Sequence, residues 1–147
     1  MAFTITSGAF HDGGPIPVQY TCEGADTPPP LDVSEPPEGT LSYALVMDDP
    51  DAPSGTFTHW LAYDIPVTRT FDPGAGTTLR NSFGRHGYGG PCPPPGHGPH
   101  RYYFTLHALG VPSLTLRGDT RKDLEEALGP HSRGTARLMG RYERIRR

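Results

Sequence analysis

Three short apolar segments, separated by stretches dense in glycine and proline, constrain the fold of this chain more than any other feature. They occupy residues 42–47, 57–65 and 101–109. Segments of this length between Gly/Pro turns predict β-strands, and their apolar content predicts central strands with both faces covered, as in a packed sandwich. With 19 Gly and 18 Pro in 147 residues disorder is suspected, yet the apolar segments need a core. The pattern therefore predicts an ordered, loop-rich, all-β protein.

Weaker patterns predict the remaining elements. One helix is expected within residues 119–130, because Asp119 or Thr120 can cap it and the Gly-Pro pair at 129–130 ends it. Further short strands are predicted at residues 3–6, 18–22 and 135–145. Since neither an internal repeat nor a domain boundary is evident, we expect a single domain over residues 1–147.

The charge pattern does not indicate a nucleic-acid partner. The formal net charge is −3, and the basic residues concentrate after residue 116 with acidic residues among them, as on a solvated helix and edge strand. The sequence contains no recognisable motif of a nucleic-acid-binding module. No apolar run approaches the ~18 residues that a membrane span needs. We therefore expect neither a nucleic-acid partner nor a membrane span.

The compartment is predicted from the amino terminus and the cysteines. The opening "MAFTITSGAFHDGG" has neither the charged start nor the apolar run of a secretory signal. Cys22 and Cys92 fit a reducing compartment, since one pair is not a disulfide framework, and whether they pair is left open. A cytoplasmic location is the expectation.

Acidic side chains follow the strand predicted at residues 42–47, at a position where sites often form. Asp49 and Asp51 lie in "MDDPDAPSG", where Pro50 and Pro53 fix the backbone and so hold the carboxylates in place. By strand alternation Asp49 shares a face with the core residue Met47. The alternative interpretation is a turn in which the aspartates accept loose backbone N–H groups.

Two histidines lie in or next to the strands predicted at residues 57–65 and 101–109. By alternation His59 shares a face with Leu61, and taken alone it is typical of a buried core residue. His100 ends a loop of glycines and prolines and shares a face with Tyr102, whereas Arg101 points to the other face and is expected to pair with Asp51. His107 is interpreted as structural, and solvent positions are expected for His11, His86, His97 and His131.

Asp49, His59 and His100 each lie at or near a strand end and are expected to converge. Two imidazoles and one carboxylate can ligate a metal, which would suit a metal-assisted hydrolase. They can instead hold an anion, helped by backbone N–H groups of the glycines at 87, 89 and 90. The sequence lacks the close ligand spacing that marks a metal motif, so it favours an anion site with no metal and no cofactor.

Three motifs together resemble the phosphatidylethanolamine-binding protein family, in particular its bacterial and archaeal branch, often called Raf-kinase-inhibitor-like. They are D-P-D-A-P at 49–53, His59 before an aromatic strand, and G-P-H-R-Y at 98–102. The likeness covers residues 7–142, including "GYGGPCPP". It implies an antiparallel β-sandwich with one or two short peripheral helices. It also implies a small cavity that binds phosphate-like or carboxylate anions, phospholipid head groups among them, without catalytic turnover.

The resemblance also assigns residues and partners. Asp49, Pro53, His59, His100 and Tyr102 would line the cavity, with Gly89, Gly90 and Pro91 as its rim and with no catalytic residue. Because a carboxylate repels phosphate, we expect Asp49 to orient and charge His59 or His100, which then donates to the ligand. The expected partner is a small anion; a protein partner, such as the kinases or proteases that eukaryotic relatives inhibit, and a homodimer are left open.

Overall fold

An antiparallel five-stranded sheet lies at the centre of this computed structural model, which describes residues 2–145. The strands are β1 (Thr4–Thr6), β2 (Asp32–Ser34), β3 (Ser42–Asp49), β4 (Phe57–Pro66), β5 (Thr77–Thr78), β6 (His100–Leu109) and β7 (Ser132–Tyr142). The central sheet has the order β5-β4-β3-β6-β7, and β1 pairs with β2 in a separate two-stranded sheet. One α-helix, α1 (Arg121–Leu128), precedes β7. Three single-turn 3-10 helices occupy Val18–Tyr20, Pro73–Ala75 and Gly129–His131.

Both faces of the central sheet are covered, as the apolar segments predict. On β3, Leu45 and Met47 join a core that also contains Ile5 of β1. Ala44, on the opposite face of β3, packs in a second cluster with Leu124 of α1. Alternate side chains of β3 thus pack into two different cores, one on each face of the sheet, and this explains why the strand is apolar at successive positions. The predicted all-β sandwich with a short peripheral helix is confirmed.

The helix begins where its capping signal places it. The Thr120 hydroxyl accepts from the Asp123 backbone N–H at 3.1 Å, and the Asp123 carboxylate accepts from the Thr120 backbone N–H at 3.1 Å, so the two form a capping box. Within residues 2–145, no helix is long and apolar enough to cross a membrane.

The strand predicted at residues 18–22 is wrong, since this segment forms the 3-10 turn Val18–Tyr20. Val18 is 54% exposed, so its apolar side chain does not hold the segment in a sheet. The Thr21 hydroxyl donates to the Val18 carbonyl at 2.8 Å and closes the turn. The closing strand is present, but β7 begins at Ser132 and ends at Tyr142 rather than spanning 135–145.

A bulge between β3 and β4 changes the face on which His59 lies. Met47 pairs with Trp60 and Asp48 pairs with Thr58, which leaves His59 without a partner residue on β3. Its ring therefore packs against Tyr102, while Leu61 packs in the cluster beneath α1. The prediction that His59 and Leu61 share a face is wrong, because alternation is interrupted at the bulge.

Candidate functional site

A buried hydrogen bond between the Asp49 carboxylate and the His100 imidazole forms the centre of the candidate site. Asp49 ends β3 and His100 begins β6. Because these strands are antiparallel neighbours, the two residues meet where the strands end, at one end of the sheet. His100 Nδ1 donates to Asp49 Oδ2 at 2.7 Å, and the two side chains are 2% and 4% exposed. Asp49 Oδ1 accepts from the Asp51 backbone N–H at 2.8 Å. The carboxylate is thus held by two donors and fixes the tautomer of His100.

His59 lies in the same site but has a different partner. Its Nδ1 donates to the Gly89 carbonyl at 2.7 Å, and its ring meets the rings of Tyr102 and Phe83 edge-on. Burial lowers the pKa of His59, and the Gly89 carbonyl and the Asp49 charge oppose that shift only in part. The geometry therefore assigns Asp49 to His100 and leaves His59 as a neutral, oriented ring.

Tyr102 contributes a buried hydroxyl with no hydrogen-bond partner among the described residues. Tyr102 is 0% exposed. Burial and then the Asp49 charge raise the pKa of Tyr102 well above its usual range, so the hydroxyl keeps its proton. The Asp49 carboxylate and the Cys92 backbone lie near this hydroxyl, but neither has the geometry of a hydrogen bond to it. A buried hydroxyl normally finds a partner, because leaving it unpaired costs free energy. The unpaired hydroxyl is therefore a candidate donor beside the Asp49–His100 pair, and a ligand reaches it only when the side chains that bury it move.

The Gly/Pro loop at residues 87–99 forms a wall of the site, and its backbone N–H groups at Gly87, Gly89 and Gly90 already have hydrogen-bond acceptors within the protein. Gly89 N–H donates to the His59 carbonyl at 2.9 Å, and Gly90 N–H donates to Asp26 Oδ1 at 2.8 Å. Gly87 N–H donates to the Leu79 carbonyl at 3.4 Å. The expectation that these N–H groups are free to bind an anion is wrong, because a closely packed loop must satisfy its own backbone.

Close packing explains the wall's glycines instead. A Cβ on Gly90 would lie 2.3 Å from Asp26 Oδ1 and 2.4 Å from the Tyr20 carbonyl oxygen. A Cβ on Gly89 would lie 2.4 Å from the Phe83 ring. Asp26 and Phe83 contribute to the packing of this wall. The sequence does not identify them, since neither lies in a motif with the glycine that it contacts.

A disulfide fastens this wall to the segment that precedes β2. Cys22 and Cys92 are bonded, with their Cα atoms 5.4 Å apart and a separation of 70 positions in the sequence. The Cys22 N–H also donates to the carbonyl of the buried Pro91 at 3.1 Å. The sequence left open whether the two cysteines pair, and in the structure they do. A disulfide does not suit the reducing compartment to which the cysteines were assigned.

An ion pair on the other side of β6 fixes the loop after β3. Arg101 donates from Nη2 to Asp51 Oδ1 at 2.7 Å and from Nε to Oδ2 at 2.9 Å, so the pair predicted between them is present. The guanidinium and the Arg101 N–H lower the pKa of Asp51 to about 2. Pro53, predicted to line the cavity, is exposed in the loop between β3 and β4.

The expected solvent position of His97 is only half right. The residue is exposed, yet its Nδ1 lies 2.6 Å from His100 Nε2, and the two nitrogens share a hydrogen bond. Asp49, His100 and His97 therefore form a chain of three groups running from the buried carboxylate to the surface. The H-x-x-H spacing was the signal in the sequence, since it brings both rings to one end of β6.

Metal ligation is not favoured by this geometry. His100 Nδ1 is bonded to Asp49 and His59 Nδ1 to Gly89. In the described range 2–145, no group of three or more His, Cys, Asp or Glu side chains is placed to hold a metal ion. The arrangement is better suited to offering hydrogen-bond donors from His100 and Tyr102.

Buried His59 and half-buried His107 should make the fold sensitive to acid. Burial lowers the pKa of His59 and of His107, so below their ordinary range the unfolded chain takes up protons that the fold does not. We expect the free energy of unfolding to fall as pH decreases from about 7.5 to about 5.5, by up to about 1.4 kcal/mol per pH unit for each histidine. Urea unfolding of the protein and of His107→Gln checks this, and an unchanged pH slope in the variant would contradict it.

The comparisons with known proteins agree with this architecture. A "UPF0098 protein" of Aquifex aeolicus is 47% identical over 150 residues, covering 95% of this chain and 88% of that protein. "Putative lipoprotein LppC" of Mycobacterium tuberculosis is 45% identical over 145 residues, covering 95% and 72%. The crystal structure of Escherichia coli YbcL, described as a member of the mammalian PEBP family, has a TM-score of 0.86 and 31% identity, covering 97% and 99%. The model of the family "Phosphatidylethanolamine-binding protein" matches residues 6–143, and the chain therefore belongs to the phosphatidylethanolamine-binding protein family.

Proposed function

We propose that this protein binds a small anion at the end of the sheet where Asp49 and His100 meet, and that it does so without chemical turnover. The anion is a phosphate, a phosphate-bearing head group or a carboxylate. The observation that carries the proposal is the buried Tyr102 hydroxyl, which has no hydrogen-bond partner among residues 2–145. An anion accepting from it would remove the free-energy cost of that unpaired group.

Asp49 has a role in this proposal although it carries the wrong charge for direct contact. It holds the Nδ1 proton of His100, so an imidazolium at His100 would donate to the anion through Nε2. An imidazolium at His100 and the Asp49 carboxylate would together be electrically neutral beside the anion. His59 and Phe83 would border the ligand as rings rather than as charges.

The wider role follows only by analogy. We infer that the protein acts by binding, as a regulator or inhibitor of a partner such as a kinase or protease, with a homodimer as a further possibility. A cytoplasmic location stays a prediction; the Cys22–Cys92 disulfide is instead typical of oxidising compartments, and cell fractionation decides between them.

Tyr102→Phe tests the proposed function by removing one oxygen atom. We expect the affinity for inorganic phosphate, measured by titration calorimetry, to fall about ten-fold, because a hydrogen bond to a charged acceptor is lost. The free energy of unfolding should be unchanged or slightly higher, since that oxygen bonds to no described protein group. This combination separates a ligand-binding hydroxyl from a structural one.

Tyr63→Phe is the matched control, because it removes the same atom on the opposite face of the central sheet, where Tyr63 of β4 packs against the second cluster. It should leave the phosphate affinity unchanged. If Tyr102→Phe binds phosphate as tightly as the unaltered protein, or if neither binds phosphate or phosphoethanolamine, the proposed function is wrong.

A further inference from the structure

His97 makes a hydrogen bond with Nε2 of His100, the ring nitrogen that is not bonded to Asp49. Its Nδ1 lies 2.6 Å from His100 Nε2, with the ring centroids 4.9 Å apart. His100 is 2% exposed, whereas His97 is an exposed residue. The buried donor is thus covered by a surface side chain rather than open to solvent.

This contact and an anion at Nε2 exclude each other. Nδ1 of His100 is committed to Asp49, so Nε2 is the only other ring nitrogen that can meet a ligand. When His100 is neutral, Nε2 is an acceptor, and His97 Nδ1–H can donate to it. An anion needs the reverse, an N–H at Nε2, and it needs the space that His97 Nδ1 occupies.

We propose that His97 is a displaceable cover of the anion site, which competes with the ligand for His100 Nε2. The inference rests on the proposed function for its consequence, but the cover itself is a property of the ligand-free protein. When the anion binds, the His97 side chain turns outward. Nε2 of His100 then takes up a proton from solvent and donates it to the anion in a hydrogen bond.

The loop that carries His97 is fixed at its base and has a glycine on each side of the histidine. Gly96 and Gly98, on either side of His97, have φ of +73° and +86°, a region that glycine enters without a Cβ penalty. Below the tip, Cys92 is fixed by its disulfide and the Pro93 carbonyl accepts from Arg144 Nε at 2.6 Å. The Gly96 N–H donates to the Arg144 carbonyl at 2.8 Å and the His97 N–H donates to the Pro94 carbonyl at 3.1 Å. Rotation of the His97 side chain alone keeps both bonds, so the cover opens by that rotation.

The cover should weaken ligand binding by the strength of one hydrogen bond. We expect His97→Ala to bind inorganic phosphate about five-fold more tightly than the unaltered protein, because the competing contact is gone. Titration calorimetry measures this, with His131→Ala as the control, since it removes another exposed imidazole from a 3-10 turn remote in sequence from the site. Equal or weaker phosphate binding by His97→Ala would overturn the cover, and weaker binding would make His97 a ligand instead.

A second measurement needs no anion and keeps the two proposals separable. Diethyl pyrocarbonate modifies unprotonated imidazole nitrogens, and peptide mass spectrometry reports the rate at His100. In the ligand-free protein we expect this rate to rise at least about three-fold in His97→Ala, because the covered Nε2 becomes accessible. A faster rate without phosphate binding would retain the cover and reject the proposed function, whereas an unchanged rate would reject the cover.

Discussion

Replacing Cys22 and Cys92 together by serine is expected to lower the free energy of unfolding by about 4 kcal/mol. The disulfide closes a loop across 70 residues, and the chain-entropy cost of that loop in the unfolded state gives this magnitude. It also fastens the wall that carries the Gly89 carbonyl, the partner of His59. Losing the bond should therefore weaken phosphate binding as well as the fold.

Urea unfolding with and without dithiothreitol measures the effect. The unaltered protein should lose stability when reduced, and the double serine variant should show the same stability in both buffers. Thiol titration of the unreduced, unfolded protein provides the direct check, since two free thiols there would contradict the disulfide.

Gly90→Ala is expected to cost about 3 kcal/mol, the upper end of the usual cost of overpacking. The new Cβ would lie 2.4 Å from the Tyr20 backbone oxygen and 2.3 Å from Asp26 Oδ1. Asp26 can turn away only by giving up its hydrogen bond from Gly90 N–H, and the backbone at Tyr20 cannot turn away at all. The wall must therefore shift, and it carries the Gly89 carbonyl with it.

Gly8→Ala is the matched control, because a Cβ there meets no atom within 4 Å and its φ lies outside the left-handed region. Chemical denaturation of both variants should show a large loss for Gly90→Ala and almost none for Gly8→Ala. Equal stabilities would mean that the wall relaxes freely, and that its glycines are not required for packing.

Local apolar pattern was sufficient for most of the fold. β3, β4 and β6 lie where the apolar segments predict them, because strands buried on both faces are apolar at successive positions. The helix start was predictable because Thr120 and Asp123 cap one another within four residues. Residues 18–22 were mispredicted because their β-like composition has no sheet edge to pair with, and a local turn satisfies their backbone.

The site was predictable where it depends on strand ends and not where it depends on loops. Asp49 and His100 meet because antiparallel neighbours bring the end of β3 to the start of β6. Asp26, Phe83 and His97 reach the site through turns whose course no local pattern specifies. The free backbone donors expected at Gly89 and Gly90 were wrong for the same reason, since their partners come from distant segments.

The sequence by itself determined the sandwich, the capped helix, the strand ends that carry Asp49 and His100, and the motifs of the family. These follow from alternation, capping and turn chemistry, which act over a few residues. Only the tertiary structure decided that a bulge turns His59 toward Tyr102, that Cys22 bonds Cys92, and that His97 covers His100. Those contacts depend on how loops close over a finished sheet, so they are set by three-dimensional packing rather than by any local pattern.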